Sequence, residues 1–135
     1  MISVNQNGKL YMTNAALPHL LVAAKDGLRE VADIVNISSI AGRRAWANFG
    51  VYGFTEALRQ EVTKRHVRAG VLEPGAVDTE LVSHINEAVR NELAASDAIP
   101  EPLQPGDIAE SIAFRVTRPR RSSVAELWAM PTSQA

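Results

Sequence analysis

The sequence predicts an α/β fold with a small parallel sheet, and three observations support this prediction. Short β-branched apolar runs alternate with longer stretches in which apolar residues recur at helical spacing. The two clearest apolar runs end in small polar residues or in Pro-Gly, as buried parallel strands do where they open into a site. Composition agrees, because 46% hydrophobic and 21% charged residues are typical of a globular protein.

The chain begins with a predicted helix and a predicted strand. Apolar residues recur close to every 3.6 positions over Ile2–Ala24, which predicts a helix, and Pro18 inside it predicts a kink or a break. The polar stretch Lys25–Glu30, with its central glycine, predicts a loop. Ala32–Ser39 follows as a buried strand whose end is polar.

The middle of the chain repeats this order. A glycine-containing loop is predicted over Ala41–Tyr52, and an amphipathic helix over Gly53–Arg65. A second strand spans Val67–Glu73 and is stopped by Pro74-Gly75.

The sequence after Pro74-Gly75 predicts helices and one more strand. Thr79–Ala95 is mostly helical, and the three prolines of Ile99–Pro105 make that stretch a connector. A helix is predicted over Asp107–Thr117, with Asp107 as its cap, and a strand over Ser122–Met130. Alternation of this kind implies parallel strands joined by right-handed crossovers, with helices on both sides of the sheet. Three strands are few, so we expect one strand edge to lack a neighbour.

Charge and composition exclude several classes of function. The net charge is −1, from 14 basic and 15 acidic residues, so no nucleic acid and no membrane surface is indicated as a partner. The absence of cysteine excludes disulfides and Cys-based zinc sites, and no two of the three histidines have ligand spacing on one helix, so we expect no metal. The start of the chain does not resemble a signal peptide, and a cytoplasmic location is expected.

Four local patterns occur in order over nearly the whole chain. They are Val4-Asn5-x-x-Gly8, Val35-Asn36-Ile37-Ser38-Ser39-x-Ala41-Gly42, a tyrosine (Tyr52) 13 residues after Ser39, and Glu73-Pro74-Gly75-x-Val77-x-Thr79. With these spacings the chain resembles the C-terminal half of the short-chain dehydrogenase/reductase family. The resemblance implies a partial Rossmann-like, doubly wound parallel sheet of three strands with flanking helices. It also implies hydride transfer between NAD(P) and a small-molecule alcohol or carbonyl.

The resemblance also implies roles for seven residues. Tyr52 would be the proton donor, Ser39 a second donor to the substrate oxygen, and Asn5 the holder of a water in the proton relay. Four more residues would pack near the nicotinamide and its carboxamide: Pro74, Gly75, Val77 and Thr79. Such chemistry needs an acid within hydrogen-bond reach of the carbonyl oxygen and a donor for the developing oxyanion.

Two departures from the family pattern reduce the expected activity. The family has a lysine four residues after the tyrosine, whereas this chain has Glu56, and about two turns of helix are missing there. Lys64 lies 12 residues after Tyr52, too far along the helix to substitute. Secondly, no G-x-G-x-x-G pattern occurs. We therefore expect residues 1–135 to be a single truncated catalytic-half domain that lacks the dinucleotide-binding half, with an exposed strand edge beside Ile34–Ser38.

These observations leave several hypotheses open. By lineage the chain is an NAD(P)-dependent oxidoreductase, weak or inactive on its own. Alternatively it is a non-catalytic truncated remnant that forms a homo-oligomer, or associates with an intact relative, through the helix pair Ile2–Ala24 and Gly53–Arg65. A late start of the reading frame, or a relic left by a deletion, is the third. Structural readings also remain, in which Ser39 only ends a strand, Tyr52 only packs and Asn5 only starts a helix. An uncovered core predicts marginal stability or oligomerisation.

Overall fold

The computed structural model describes residues 3–40, 49–84 and 99–134. Within these ranges, three α-helices and three β-strands alternate, and shorter helical turns lie between them. The elements are a π-helical turn (Ser3–Asn7), α1 (Gly8–Asp26), β1 (Ala32–Ile37), α2 (Phe49–Val62), a 3-10 turn (Thr63–Arg65), β2 (Val67–Pro74), a second 3-10 turn (Glu80–His84), α3 (Pro105–Val116) and β3 (Glu126–Ala129).

The sheet has three strands in the order β1-β2-β3, and both pairs are parallel. Ala32 lies opposite Val67 at the start of the first pair, and Val71 lies opposite Glu126 at the start of the second. The predicted α/β fold with a three-stranded parallel sheet is confirmed. Within the described residues, no strand pairs with the other edge of β1.

Strand β2 forms the centre of the core, since all eight of its residues are buried. Side chains alternate across it, so Val67 and Ala69 pack against Leu58 and Val62 of α2 on one face. On the other face the guanidinium of Arg115, from α3, lies against Gly70. The helices therefore cover both faces of the sheet, as the doubly wound arrangement requires.

Helix α2 begins earlier than the sequence predicts. We expected the helix to start at Gly53 and Tyr52 to lie in the preceding loop, whereas α2 starts at Phe49 and includes Tyr52. The expectation was wrong because Val51 is buried and the Thr55 hydroxyl donates to the Val51 carbonyl at 2.7 Å. Packing and this bond extend the helix through two glycines, whose low helix propensity had favoured a loop.

The start of α3 also differs from the prediction. Its N-cap is Gln104 and not Asp107, and Pro105 occupies the first position of the helix. Asp107 instead accepts a hydrogen bond from the Gln104 backbone N–H at 2.8 Å, as the third helical residue of a capping box. Proline is well tolerated at this place because its missing N–H would have no partner in the first turn.

Other element boundaries shift by a few residues. Pro18 does not divide α1, which runs unbroken from Gly8 to Asp26. Strand β3 is shorter than the predicted Ser122–Met130, and the carbonyls of Ser122 and Val124 accept hydrogen bonds from buried arginines instead. Of the helix predicted over Thr79–Ala95, only the 3-10 turn is described, and residues 85–98 lie outside the described ranges.

None of the helices described is both long enough and apolar enough to cross a membrane.

Candidate active site

A cleft of about 370 Å³ opens at the carboxyl ends of β1 and β2, and we call it the strand-end cleft. Five of the seven residues predicted from the sequence line it: Ser39, Pro74, Gly75, Val77 and Thr79. The other described residues that line it are Ile37, Ser38, Leu81, Pro105 and Ile108. Parallel strands end at the same edge of a sheet, so polar residues that follow two neighbouring strands come together there.

Backbone hydrogen bonds fix the position of Ser39. The N–H of Ser38 donates to the Leu72 carbonyl at 2.8 Å, and that of Ile40 donates to the Pro74 carbonyl at 3.1 Å. The ladder between β1 and β2 therefore continues on both sides of Ser39, beyond the end of β1. As a result Ser39 is held on the wall of the cleft by ordered backbone.

The loop after β2 is held by the segment before α3. Val77 forms an isolated parallel bridge with Leu103. The N–H of Asp78 donates to the Leu103 carbonyl at 2.8 Å, and the Leu103 N–H donates to the Ala76 carbonyl at 2.9 Å. This pairing presents Val77 and Thr79 to the cleft.

Gly75 is required by a close approach of the C-terminal segment. A β-carbon at Gly75 would collide with the Gln134 side chain and with Pro131. Gln134 accepts a hydrogen bond from the Ala76 N–H at 2.9 Å through Oε1, and the Gly75 N–H donates to the Ala129 carbonyl at 2.8 Å. Sequence reasoning missed Gln134, because nothing local indicates that the C-terminal segment folds back onto Gly75 and Ala76.

Tyr52 does not line the strand-end cleft. It lies in the first turn of α2 and lines a separate cavity of about 40 Å³ between that helix, β2 and the start of β3. Tyr52 and Ser39, predicted to act on one substrate oxygen, are therefore on different cavities. Asn5 is exposed in the π-helical turn and is not among the residues that line the strand-end cleft.

Glu56, at the position of the family's lysine, binds the next turn of its own helix. Arg59 donates to its two carboxylate oxygens at 2.7 and 2.6 Å, and Gln60 donates at 3.0 Å. These bonds lower the pKa of Glu56 from 4.5 to about 2, with the Arg59 bond the largest cause. Glu56 is thus a fixed anion one turn after Tyr52.

Arg59 is a cation near Tyr52, but its guanidinium is hydrogen-bonded to the carboxylate of Glu56. Its hydrogen bond to Glu56 is the main reason that the pKa of Arg59 is raised, and an electrostatic interaction with Tyr52 contributes less. Lys64 lies beyond the end of α2 on an exposed 3-10 turn, as its distance along the sequence predicted.

Two polar contacts near the site were not predicted from the sequence. The Lys9 ammonium donates to the Ile37 carbonyl at 2.5 Å, at the open edge of β1, and partial burial lowers the pKa of Lys9. The Asn36 amide donates to the Thr55 hydroxyl at 2.8 Å, and both side chains are buried. Asn36 belonged to a recognised motif, but its partner on α2 can be known only from the tertiary fold.

No three His, Asp or Glu side chains come together as a metal-binding group in the part of the chain that the structure describes.

A family model for short chain dehydrogenase matches residues 1–90. An uncharacterized oxidoreductase of Staphylococcus saprophyticus is 33% identical over 145 residues, a match that covers 100% of this chain and 56% of that protein. The NADP-dependent 3-hydroxy acid dehydrogenase of Schizosaccharomyces pombe is 33% identical over 144 residues, with 99% and 52% covered. The first of these alignments is 145 positions long, 10 more than the 135 residues of this chain. The Staphylococcus saprophyticus protein therefore has residues within the matched region that have no counterpart in this chain.

Solved structures show the same fold. The closed form of serine dehydrogenase complexed with NADP+ superposes with a TM-score of 0.79 at 24% identity, covering 100% of this chain and 56% of that one. A 3-ketoacyl-(acyl-carrier-protein) reductase from Brucella melitensis complexed with NADH gives 0.77 at 24% identity, covering 99% and 56%. The chain thus spans about half the length of the relatives it matches. Because the family model covers 90 of the 135 residues, the chain belongs to the short chain dehydrogenase family.

Proposed function

We propose that the strand-end cleft holds the nicotinamide end of an NAD(P) cofactor together with a small alcohol or carbonyl. We also propose that these 135 residues alone transfer hydride weakly or not at all. A single observation supports both the cofactor site and the weak activity. The cleft brings together Ser39 and the four predicted nicotinamide-packing residues, whereas Tyr52 lines another cavity.

The cleft fits one end of the cofactor. Its volume of about 370 Å³ lies within the range of small-molecule pockets, which extends from about 300 to 1,000 Å³. Apolar walls from Val77, Leu81 and Ile108 suit a flat ring, and the Ser39 and Thr79 hydroxyls provide polar groups. For the pyrophosphate, by contrast, the sequence offers no glycine-rich turn of the G-x-G-x-x-G type.

The chemistry expected of the cleft is incomplete. When bound, the cofactor would supply or accept the hydride. Ser39 would donate a hydrogen bond to the substrate oxygen and stabilise negative charge there. A general acid has to lie within hydrogen-bond reach of the same oxygen, and Tyr52 is placed elsewhere.

The test is a titration of the purified chain with NADH and with NADPH, followed by nicotinamide fluorescence. Saturable binding that Val77→Trp abolishes, and that the exposed control Leu28→Trp leaves unchanged, is the expected result. Turnover of any carbonyl found by screening should be unaffected by Tyr52→Phe. No binding up to millimolar cofactor would reject the cofactor site. A large loss of turnover in Tyr52→Phe would reject the claim that Tyr52 takes no part in the reaction.

A second candidate function is non-catalytic association through the helix pair. Five large apolar side chains are exposed on α1 and the turn before it: Val4, Leu10, Tyr11, Met12 and Val22. Tyr11 and Val22 are 11 residues apart, about three helical turns, and therefore share one face of α1; exposed apolar residues on one face mark interaction surfaces. The proposed partner is a second copy or an intact member of the family.

Sedimentation tests the association. We expect the wild-type chain to sediment as an oligomer and Tyr11→Lys with Met12→Lys to weaken that association, with Leu28→Lys as the control because Leu28 is exposed outside α1. A monodisperse wild-type monomer that melts cooperatively would reject this function.

A further inference from the structure

A second cleft lies at the opposite edge of the sheet, and we call it the amino-edge cleft. Its volume is about 520 Å³. It is built from the last turns of α1 and from the residues that precede each strand. The lining residues are Leu21, Val22, Ala24, Lys25, Asp26, Glu30, Arg65, His66 and Arg120. None of them lines the strand-end cleft, so the two sites share no wall.

The amino-edge cleft combines an apolar floor with a cationic rim. Leu21, Val22 and Ala24 form the apolar part, and the rim carries three cations, Lys25, Arg65 and Arg120, and two carboxylates, Asp26 and Glu30. Pockets with apolar walls and a few convergent polar groups are typical of small-molecule sites.

The charges of the rim are not all satisfied within the protein. Arg120 donates to the Glu30 carbonyl at 3.0 Å and approaches the Glu30 carboxylate at 3.7 Å, so these two residues neutralise one another. Among the residues that the structure describes, no hydrogen bond or ion pair is formed by the side chains of Lys25 and Arg65. Asp26 likewise forms no hydrogen bond or ion pair within the described ranges, so Lys25, Arg65 and Asp26 together leave the cleft with one net positive charge, which favours an anionic ligand.

The backbone supplies an independent indication. Glu30 and His66 are the two non-glycine residues with positive φ in the described ranges, at 49° and 59°. Both line the amino-edge cleft. Residues other than glycine rarely adopt this conformation, and where they do they cluster at ligand sites and switches. Here each places its side chain at the rim just before a strand begins.

We propose that the amino-edge cleft binds an organic anion, in which an apolar body rests on the α1 floor and a carboxylate or phosphate group pairs with Lys25 and Arg65. An aromatic or short aliphatic body fits the volume of the cleft. This site is independent of the proposed cofactor site, because it lies at the other end of the strands.

Calorimetric titration with 1-naphthoate and 1-naphthyl phosphate tests the proposal on the whole chain. We expect saturable binding, and weakening by about tenfold or more in the double variant Lys25→Gln/Arg65→Gln, since hydrogen bonds to charged groups are lost. The matched control Lys64→Gln/Arg121→Gln removes the same charge from residues outside the cleft, and it should bind as the wild type does.

Further arms separate this site from alternatives. Val22→Glu places a carboxylate on the floor and should abolish binding, whereas Leu81→Glu in the strand-end cleft should not affect it. Far-ultraviolet circular dichroism checks that each variant is folded. The proposal is overturned if the naphthyl anions do not saturate up to millimolar concentration, or if the two double variants lose affinity equally. It is also overturned if uncharged 1-naphthalenemethanol or inorganic phosphate binds as tightly as 1-naphthoate.

Discussion

The buried amide of Asn36, on β1, donates a hydrogen bond to the buried hydroxyl of Thr55, on α2, at 2.8 Å. Thr55 in turn donates to the Val51 carbonyl at 2.7 Å, one helical turn earlier. This chain of two bonds joins the strand that leads to Ser39 with the turn that carries Tyr52. It therefore fixes the rotation of α2 relative to the sheet and, with it, the place of Tyr52.

The first prediction concerns this link. Thr55→Val keeps the shape of the side chain but leaves the buried Asn36 amide without its acceptor, so we expect the free energy of unfolding to fall by about 1–3 kcal/mol. Urea denaturation measures the change, and Asn14→Ala on the exposed face of α1 should be nearly neutral. If Thr55→Val and Asn36→Ala proved strictly additive in the double variant, the two side chains would not be coupled.

The second prediction concerns a buried ion pair on the other face of the sheet. Arg68 forms two hydrogen bonds with Asp33, both at 2.8 Å, and its side chain is only 4% exposed. Asp33→Ala would leave that guanidinium buried without its counterion, and we expect a loss of about 3–5 kcal/mol. Glu30→Ala removes the counterpart of an exposed pair at 3.7 Å and should cost less than about 1 kcal/mol. Similar costs for the two variants would contradict this account.

The third prediction distinguishes two buried arginines. Arg115 donates from Nε to the Val124 carbonyl at 2.6 Å, but both of its terminal nitrogens are buried without a partner among the described residues. Burial lowers the pKa of Arg115, which means that its charged form is destabilised by folding. Arg115→Met should therefore be neutral or stabilising by about 1 kcal/mol, as hydrophobic replacements of buried charges often are.

Arg68→Met is the matched comparison for that variant. It removes the same chemical group from a neighbouring position in the core, but it leaves the Asp33 carboxylate with only the exposed Arg29 at 3.9 Å, so we expect clear destabilisation. Thermal melting of both variants at neutral pH is sufficient. If Arg115→Met lowered the melting temperature as much as Arg68→Met does, the contacts of Arg115 would stabilise the fold as strongly as the ion pair of Arg68 with Asp33.

The strand-end cleft was largely predictable from the sequence, for a topological reason. Once β1 and β2 are parallel neighbours, residues that follow them, such as Ser39 and Gly75, have to meet at one edge of the sheet. No knowledge of side-chain packing is needed for that inference. The predicted fold class rested on the same alternation of elements and was confirmed for the same reason.

The place of Tyr52 was not predictable, because it depends on the rotation of a helix. Tyr52 lies 13 positions after Ser39, as in the family pattern, but the direction of its side chain follows from the burial of Val51 and from the hydrogen bond of Thr55. The burial of Arg115 could not be predicted from the sequence either. Its sequence neighbours describe an ordinary amphipathic helix, and only the absence of a side chain at Gly70 makes room for its guanidinium.

The fourth prediction tests the close approach at Gly75. Gly75→Ala places a methyl group against Gln134 and Pro131, so the C-terminal segment has to move away from Gly75. We expect destabilisation of about 1–3 kcal/mol, as for other overpacked positions. We also expect weaker NADH binding than in the wild type. Gly106→Ala is the control, since a β-carbon there meets no atom within 4 Å. Unchanged stability in Gly75→Ala would mean that the segment is not held against Gly75.

The fifth prediction follows from the pKa of Glu56. Folding lowers it from 4.5 to about 2, so the unfolded chain binds the proton more readily than the folded chain does. The stabilising contribution of the Glu56 carboxylate is therefore complete above pH 4.5 and is lost as the pH falls toward 2. Glu56→Gln should melt below the wild type at pH 7, and the gap should narrow steadily between pH 5 and pH 2. Glu61→Gln on the exposed side of α2 serves as the control and should show little difference at either pH. A gap for Glu56→Gln that stays constant down to pH 2 would mean that Arg59 and Gln60 do not hold the carboxylate in the folded chain.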